Sequence, residues 1–256
     1  MTKVIFLSEL GQNFCGSHLL KSNALLYLTR ACALGGSDYI KLQAYDAMKV
    51  FNGEEEFYCD SVFAELTHSQ IDYWMKALKG INQDPEVIDA RTKLGKGPAK
   101  PLLSVFDPAR LAWVIESLST YFGDLPEIEI KMASRVASDG QILSACKGFK
   151  NAVNKYRDNE RLYRPIHGII SHGMKTLTNE EYSKYFDRQT HLFCKSQYPC
   201  TYDPTDWAQF EQGLKDGVYQ GISDHSLGTD SVAHAIELAT SAGLDTFFVE
   251  KHCTIA

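Results

Sequence analysis

Two histidines end two apolar runs near the C-terminus of the chain. His225 closes Gly221-Ile222-Ser223-Asp224-His225, and His252 closes Phe247-Phe248-Val249-Glu250-Lys251-His252. Lysines take the same kind of place earlier: Lys41 ends Asp38-Tyr39-Ile40-Lys41, and Lys131 follows Glu127-Ile128-Glu129-Ile130. Imidazole nitrogen is a common ligand for divalent metals, and an ammonium at the end of a buried strand is costly unless it meets an anion. Together they imply a site for an anionic substrate beside a divalent ion. With only two imidazoles the ion would keep open positions for water and a substrate oxygen, as a Lewis-acid role requires. Glu9, Gln43, Ser104, Ser134, Ser171, Tyr198 and Ser223 stand at comparable points. Serines beside two lysines can neutralise and hydrogen-bond a phosphate or carboxylate. Glu9 could bind the metal, serve as acid or base, hold a substrate hydroxyl, or pair with Lys41. Lys131 could instead pair with Glu127 or Glu129, which lie close in sequence. His18, His68, His167, His191 and His234 do not converge in this way and read as structural or exposed. The chain has no GxSxG, HExxH or P-loop motif.

Positioning such residues requires strands that end on one face. Apolar, strand-like runs fall near 3–8, 38–43, 101–106, 127–132, 166–171, 190–195, 218–222 and 245–250. Helical patterns lie near 17–35, 68–80, 108–122, 138–148, 178–187, 205–216 and 229–242. Asp107-Pro108 and Asp203-Pro204 supply N-cap and first-turn chemistry, Thr178 with Glu181 fits a capping box, and Gly35-Gly36 and Gly243 suit helix ends. Strands alternating with helices pair in parallel, because each return crossing needs a helix-length connection. Eight of them predict an α/β fold of the (β/α)8 TIM-barrel type, in which strand ends converge on one face. A doubly wound open sheet is the alternative. The turn after the first strand, Gly11-Gln12-Asn13-Phe14-Cys15-Gly16, lacks the GxGxxG of its dinucleotide-binding form. Residues 44–100 form a long insertion after the second strand, expected to act as a lid or interface piece, or as a mobile surface excursion in its second half. The chain stops at Ala256, just after the eighth strand, so the closing helix is missing and a partner subunit is expected to cover that side.

The bulk numbers exclude several classes. A chain of 256 residues, 44% hydrophobic and 23% charged, suits one large domain. A net charge of -6 argues against a general nucleic-acid surface, though not against a small anion in a local basic pocket. No apolar run approaches the ~20 residues of a membrane span, and the opening Met1-Thr2-Lys3-Val4-Ile5-Phe6-Leu7 reads as a first strand rather than a signal. Seven scattered cysteines without a CxxC pair fit reduced thiols in a cytoplasmic protein.

Beyond these readings, the string resembles the sialic acid synthase (N-acetylneuraminate synthase) family. Ser8-Glu9-Leu10-Gly11-Gln12-Asn13-Phe14-Cys15-Gly16-Ser17 is similar to its opening "EIGxNHxGS", Ile40-Lys41-Leu42-Gln43 to "VKxQ", and Ile130-Lys131-Met132-Ala133-Ser134 to "xKIGS". Ile170-Ser171-His172-Gly173-Met174 resembles "LSTGM", Tyr198-Pro199 "YP", Gly221-Ile222-Ser223-Asp224-His225 "GLSDH", and Glu250-Lys251-His252-Cys253-Thr254 "EKHFT". The matches are collinear over nearly the whole chain. The resemblance implies a (β/α)8 barrel that condenses phosphoenolpyruvate with a sugar aldehyde of the N-acetylmannosamine kind, assisted by a divalent ion, Mn²⁺ first and Mg²⁺ or Co²⁺ as alternatives. By resemblance His225 and His252 hold the metal. Lys41, Ser104, Lys131, Ser134, Ser171 and Ser223 hold phosphoenolpyruvate. Gln43, Tyr198 and Arg135 face the sugar, and Glu9 joins the two histidines in catalysis. A homodimer or larger homo-oligomer is implied, without nucleic acid or membrane.

The chain also departs from the family. Phe14 replaces the histidine of the opening motif, "STPF" appears as Ser104-Val105-Phe106, and "GSGE" becomes Ala133-Ser134-Arg135-Val136. The family's C-terminal antifreeze-like domain has no counterpart here. The metal and phosphate side is better kept than the sugar side. A second reading is therefore a non-catalytic barrel that binds ligand or partners another chain, and a third is another metal-dependent barrel enzyme such as an aldolase or sugar isomerase.

Overall fold

A computed structural model describes residues 2–11, 14, 21–50, 62–106, 108–132, 164–172, 186–195, 204–224 and 229–252. Within them the chain runs β1 (Lys3–Glu9), α1 (Lys21–Leu34), β2 (Tyr39–Ala44), α2 (Ala47–Val50), α3 (His68–Ile81), α4 (Pro85–Lys93), β3 (Lys100–Val105) and α5 (Pro108–Tyr121). It continues through β4 (Ile128–Met132), β5 (Ile166–His172), β6 (Arg188–Lys195), α6 (Pro204–Lys215), β7 (Gly221–Asp224), α7 (Asp230–Ser241) and β8 (Thr246–His252). The eight strands form one closed parallel barrel in sequence order, sealed by β1 against β8 from Lys3↔Thr246 to Glu9↔His252. The (β/α)8 barrel is therefore the fold, and the open sheet is excluded. The helix expected at 138–148 and all but the last two residues of that expected at 178–187 lie outside the described residues, as do Asp107, Asp203 and Thr178 of the expected caps.

Side chains alternate across a strand, and that parity sorts the barrel into two packing zones. Outward positions such as Ile40, Leu42, Leu103, Val105, Ile130 and Ile170 pack under one set of helices, and Phe193, Ile222, Phe247 and Val249 under another. Inward positions Leu7, Tyr39, Leu102, Ile169 and Leu192 form a separate cluster, with Ile5 and Phe248 against it. This apolar plug fills the middle of the barrel. Polar inward residues lie above and below it.

Residues 67–99 are more regular than their composition suggests. Helix α3 packs beside α1 and α5, and the buried Trp74 Nε1 donates to Thr29 Oγ1 of α1 at 2.9 Å. A capping box starts it, Thr67 with Gln70. Asp84 and Pro85 then open α4, where a polar surface excursion is the sequence expectation; Asp84 caps the helix by accepting from the Glu86 amide at 2.9 Å. The return to β3 is tied down as well. Asn82 makes two hydrogen bonds with the backbone of Ala99, and the buried Arg91 guanidinium donates to the carbonyls of Ala33 and Gly97. Residues 68–99 thus belong to the helical layer and the N-terminal end of the barrel, and they are not a lid over the strand ends.

Gly221 shows how tightly the strands close. A Cβ built there would lie 2.4 Å from the Phe248 carbonyl oxygen and 2.5 Å from Leu192 Cδ2. Overpacking of this kind typically costs about 1–3 kcal/mol. Gly221→Ala is therefore expected to lower the urea midpoint by that order while leaving the circular dichroism spectrum of the folded protein unchanged.

Candidate active site

Strand parity delivers the polar residues to one layer above the plug. Glu9, Lys41, Ser104, Lys131, Ser171, Ser223 and Glu250 each lie two residues along their strand from an inward residue of the plug or of the layer below it. Neighbouring strands set them side by side in register: Glu9↔Lys41, Gln43↔Ser104, Ser104↔Lys131 and Ser223↔Glu250. All seven are buried, Glu9, Lys131 and Glu250 to 1% exposure and Lys41 to 2%. Gln43 and His252 stand one step nearer the mouth and are partly exposed.

The charges are matched within the layer. Lys41 Nζ lies 2.7 Å from Glu9 Oε1 and 3.1 Å from Glu250 Oε1, while Lys131 pairs with Glu250 Oε2. Ser223 Oγ donates to Glu250 Oε1 at 2.7 Å, and Gln43 Nε2 donates to Glu9 Oε1 at 2.7 Å. The other oxygen of Glu9 faces His252 Nε2 at 2.7 Å. Burial alone would raise the Glu250 carboxyl, but the ammoniums of Lys131 and Lys41 outweigh it and hold the group ionised, near 2. Lys41 is raised, its own burial being outweighed by Glu250 and Glu9. Burial pushes Lys131 down to about 8, against the pull of Glu250 and with the help of Lys41.

Two hydroxyls in this layer stand apart. Ser104 Oγ and Ser171 Oγ are buried without a hydrogen-bond partner among the described residues. A buried hydroxyl with nothing to bond costs free energy, and such groups call for a ligand or water. Lysine and serine groups aimed into one dry layer can bind a phosphate or carboxylate. The approach of Glu9 Oε2 to His252 Nε2 fits an imidazole–carboxylate contact, and equally two donors meeting at one divalent ion.

Of the residues expected from sequence, the structure brings together Glu9, Lys41, Gln43, Ser104, Lys131, Ser171, Ser223 and His252. His225, Ser134, Arg135 and Tyr198 lie outside the described residues. The strand end leading to His225 is nonetheless fixed: buried Asp224 accepts from Lys251 Nζ at 2.9 Å and from Ser231 Oγ at 2.8 Å, locking β7 to β8 and α7. Pairing of Lys131 with Glu127 or Glu129 does not occur. Those carboxylates lie beyond the plug, at the other end of the barrel, and Glu250 is the partner because β8 faces β4 across the bore. Glu250 itself carries no role in the sequence reading. Its parity with His252, two residues on in the same strand, is the signal that would have found it.

The lower layer contains a second polar cluster. Glu127, Glu129 and His167 bring oxygen and nitrogen donors within 4.8 Å of one another, a spacing able to hold a metal ion. Cations of the protein already engage both carboxylates. Lys100 Nζ donates to Glu129 Oε2 at 3.1 Å, and Arg188 Nε donates to Glu127 Oε2 at 3.2 Å. His167 bonds Glu129 at 3.2 Å and Thr190 at 2.9 Å, and Tyr39 donates its hydroxyl to Glu129. Burial would raise the Glu129 carboxyl, but the bonds from His167, Tyr39 and Lys100 lower it. The structural role expected for His167 fits this closed network.

No sequence-family profile matches the chain, and no curated protein matches it either. Among solved structures, an N-acetylneuraminic acid synthetase from Leptospira borgpetersenii serovar Hardjo-bovis, in complex with citrate, is similar over 100% of this chain and 74% of that one, with a TM-score of 0.64 and 19% identity. An N-acetylneuraminate lyase from Proteus mirabilis is similar over 96% and 69%, with a TM-score of 0.45 and 9% identity. At these identities the likeness to the synthetase establishes a shared barrel fold.

Two measurements test the layer. Ser104→Ala and Ser171→Ala each remove an unsatisfied hydroxyl, so stability in urea is expected to hold or rise by up to about 1 kcal/mol, while affinity for a carboxylate- or phosphate-bearing ligand of this layer falls. Affinity for that ligand is also expected to fall as pH rises through about 8, where Lys131 loses its proton. Lys131→Arg, charged throughout, is expected to abolish the fall in a calorimetric pH series.

Proposed function

We propose that the chain is a phosphoenolpyruvate-dependent synthase that joins the three-carbon enol to a sugar aldehyde of the N-acetylmannosamine kind, giving a sialic-acid-like product. The observation that carries this reading is the convergence of Lys41 and Lys131 with the partnerless hydroxyls of Ser104 and Ser171 in one buried layer at the C-terminal strand ends. That is the face on which barrels of this type place their chemistry.

In this reading Lys41, Lys131, Ser104, Ser171 and Ser223, with Ser134 from the segment after β4, hold the carboxylate and phosphate of phosphoenolpyruvate. Its C3 forms the new bond to the aldehyde carbon. Water adds at C2, and cleavage of the C2–O bond releases inorganic phosphate, whose developing charge the two ammoniums stabilise. Glu9 would move a proton at the aldehyde oxygen, and Gln43, Tyr198 and Arg135 would be the residues for the sugar. A divalent ion, Mn²⁺ foremost, would be held by His225 and His252 and would polarise the aldehyde when bound. The imidazole of His252 and the carboxylate of Glu9, 2.7 Å apart, form a donor pair suited to such an ion.

A second reading is favoured by the internal pairing of both lysines: a non-catalytic barrel whose charges are satisfied without substrate. Phosphate release from phosphoenolpyruvate, assayed with Mn²⁺ and a panel of aldoses, separates the two. Release with at least one aldose is expected. Binding of phosphoenolpyruvate without release for any acceptor would favour the second reading, and absence of binding would defeat the synthase reading. His252→Ala is expected to remove tight Mn²⁺ binding, read by electron paramagnetic resonance, with the unfolding midpoint little changed.

A further inference from the structure

Glu250 sits where an anionic ligand would have to sit. Its carboxylate takes Lys41 and Ser223 on one oxygen, at 3.1 and 2.7 Å, and Lys131 on the other. With Glu9 it makes the layer electrically balanced, two ammoniums against two carboxylates, all buried. Among the described residues of this layer an incoming anion therefore meets no lysine charge that a carboxylate does not already balance. It must take the lysines from a carboxylate tethered beside them, whose effective concentration is high.

We propose that Glu250 is a specificity-determining residue: an internal anion that occupies the two lysines and excludes inorganic phosphate and sulfate. It yields them only to a ligand that also engages the hydroxyls of Ser104 and Ser171. The inference rests on the reading of this layer as an anion pocket and adds how that pocket discriminates. A small inorganic anion offers the lysines only what Glu250 already supplies. A substrate that also satisfies two orphan hydroxyls gains interactions that Glu250, already engaged by Lys41, Lys131 and Ser223, does not provide.

The test is calorimetric titration of the full chain with inorganic phosphate, comparing wild type, Glu250→Gln and the double variant K131M/E250Q. Glu250→Gln keeps the shape and removes the charge, so phosphate is expected to bind at least about tenfold more tightly than to wild type. In the double variant Lys41 is again balanced by Glu9, and the gain is expected to disappear. Unchanged or weaker phosphate binding by folded E250Q overturns the proposal. Should E250Q not fold, wild-type crystals soaked in phosphate decide. An anion on both lysines with the Glu250 carboxylate still in contact overturns it; no anion there, or an anion with Glu250 swung away, supports it. A parallel titration of wild type with phosphoenolpyruvate keeps the two proposals distinct. Tighter phosphate binding by E250Q without phosphoenolpyruvate binding by wild type upholds this inference and sinks the synthase reading. The opposite pattern does the reverse.

Discussion

Two lysine ammoniums held out of water inside a barrel are the constraint around which this structure is arranged. An unpaired buried charge costs several kcal/mol even after relaxation, and removing one partner of a buried pair typically costs about 3–5 kcal/mol. Lys41 and Lys131 are tolerable only because β1 and β8 bring Glu9 and Glu250 to the same height. That in turn requires β1 and β8 to close in one register, from Lys3↔Thr246 to Glu9↔His252. A slip of one residue would turn Glu250 outward among the apolar contacts of α7 and leave the lysines facing Val249 or Lys251 instead. Barrel closure and charge pairing are thus one requirement.

The apolar plug of Leu7, Leu102, Ile169 and Leu192 divides the bore into two polar layers of different character. Below it, Glu129 is surrounded by Tyr39, Lys100 and His167, and every group has a use within the protein. Burial and the Glu129 charge raise the Tyr39 hydroxyl, so it remains a donor at ordinary pH. A metal entering among Glu127, Glu129 and His167 would have to displace both Lys100 and Arg188, so this layer reads as a structural clasp. Above the plug two hydroxyls are left over. Barrels commonly carry stability at one end and chemistry at the other. Here the difference lies in satisfaction: the lower layer is closed on itself, and the upper one leaves two buried hydroxyls unpaired among the described residues.

Much of the architecture was legible along the chain, because alternation of strand and helix patterns leaves few topologies. The eight strands, the helices at 68–81 and 108–121 and the inward-facing residues at the strand ends follow from periodicity and from residues such as Lys41 and Lys131 that would be costly in any other place. Helix α4 was hidden by its polar composition, although Asp84-Pro85 is a start signal; what makes it a helix in the fold is Arg91 reaching the Ala33 carbonyl 58 residues away.

The sequence by itself determined the fold class and most of the side chains that face the bore at the C-terminal strand ends. Those depend on local period and on the parity of single strands. Only the tertiary structure decided that Lys131 pairs with Glu250, 119 residues distant, and not with the nearby Glu127 or Glu129. Likewise only the closed barrel showed that Ser104 and Ser171 lack partners among the described residues while the lysines do not. Pairing in a dry interior is settled by which strands meet across the bore and at what height, and no stretch of chain encodes that alone.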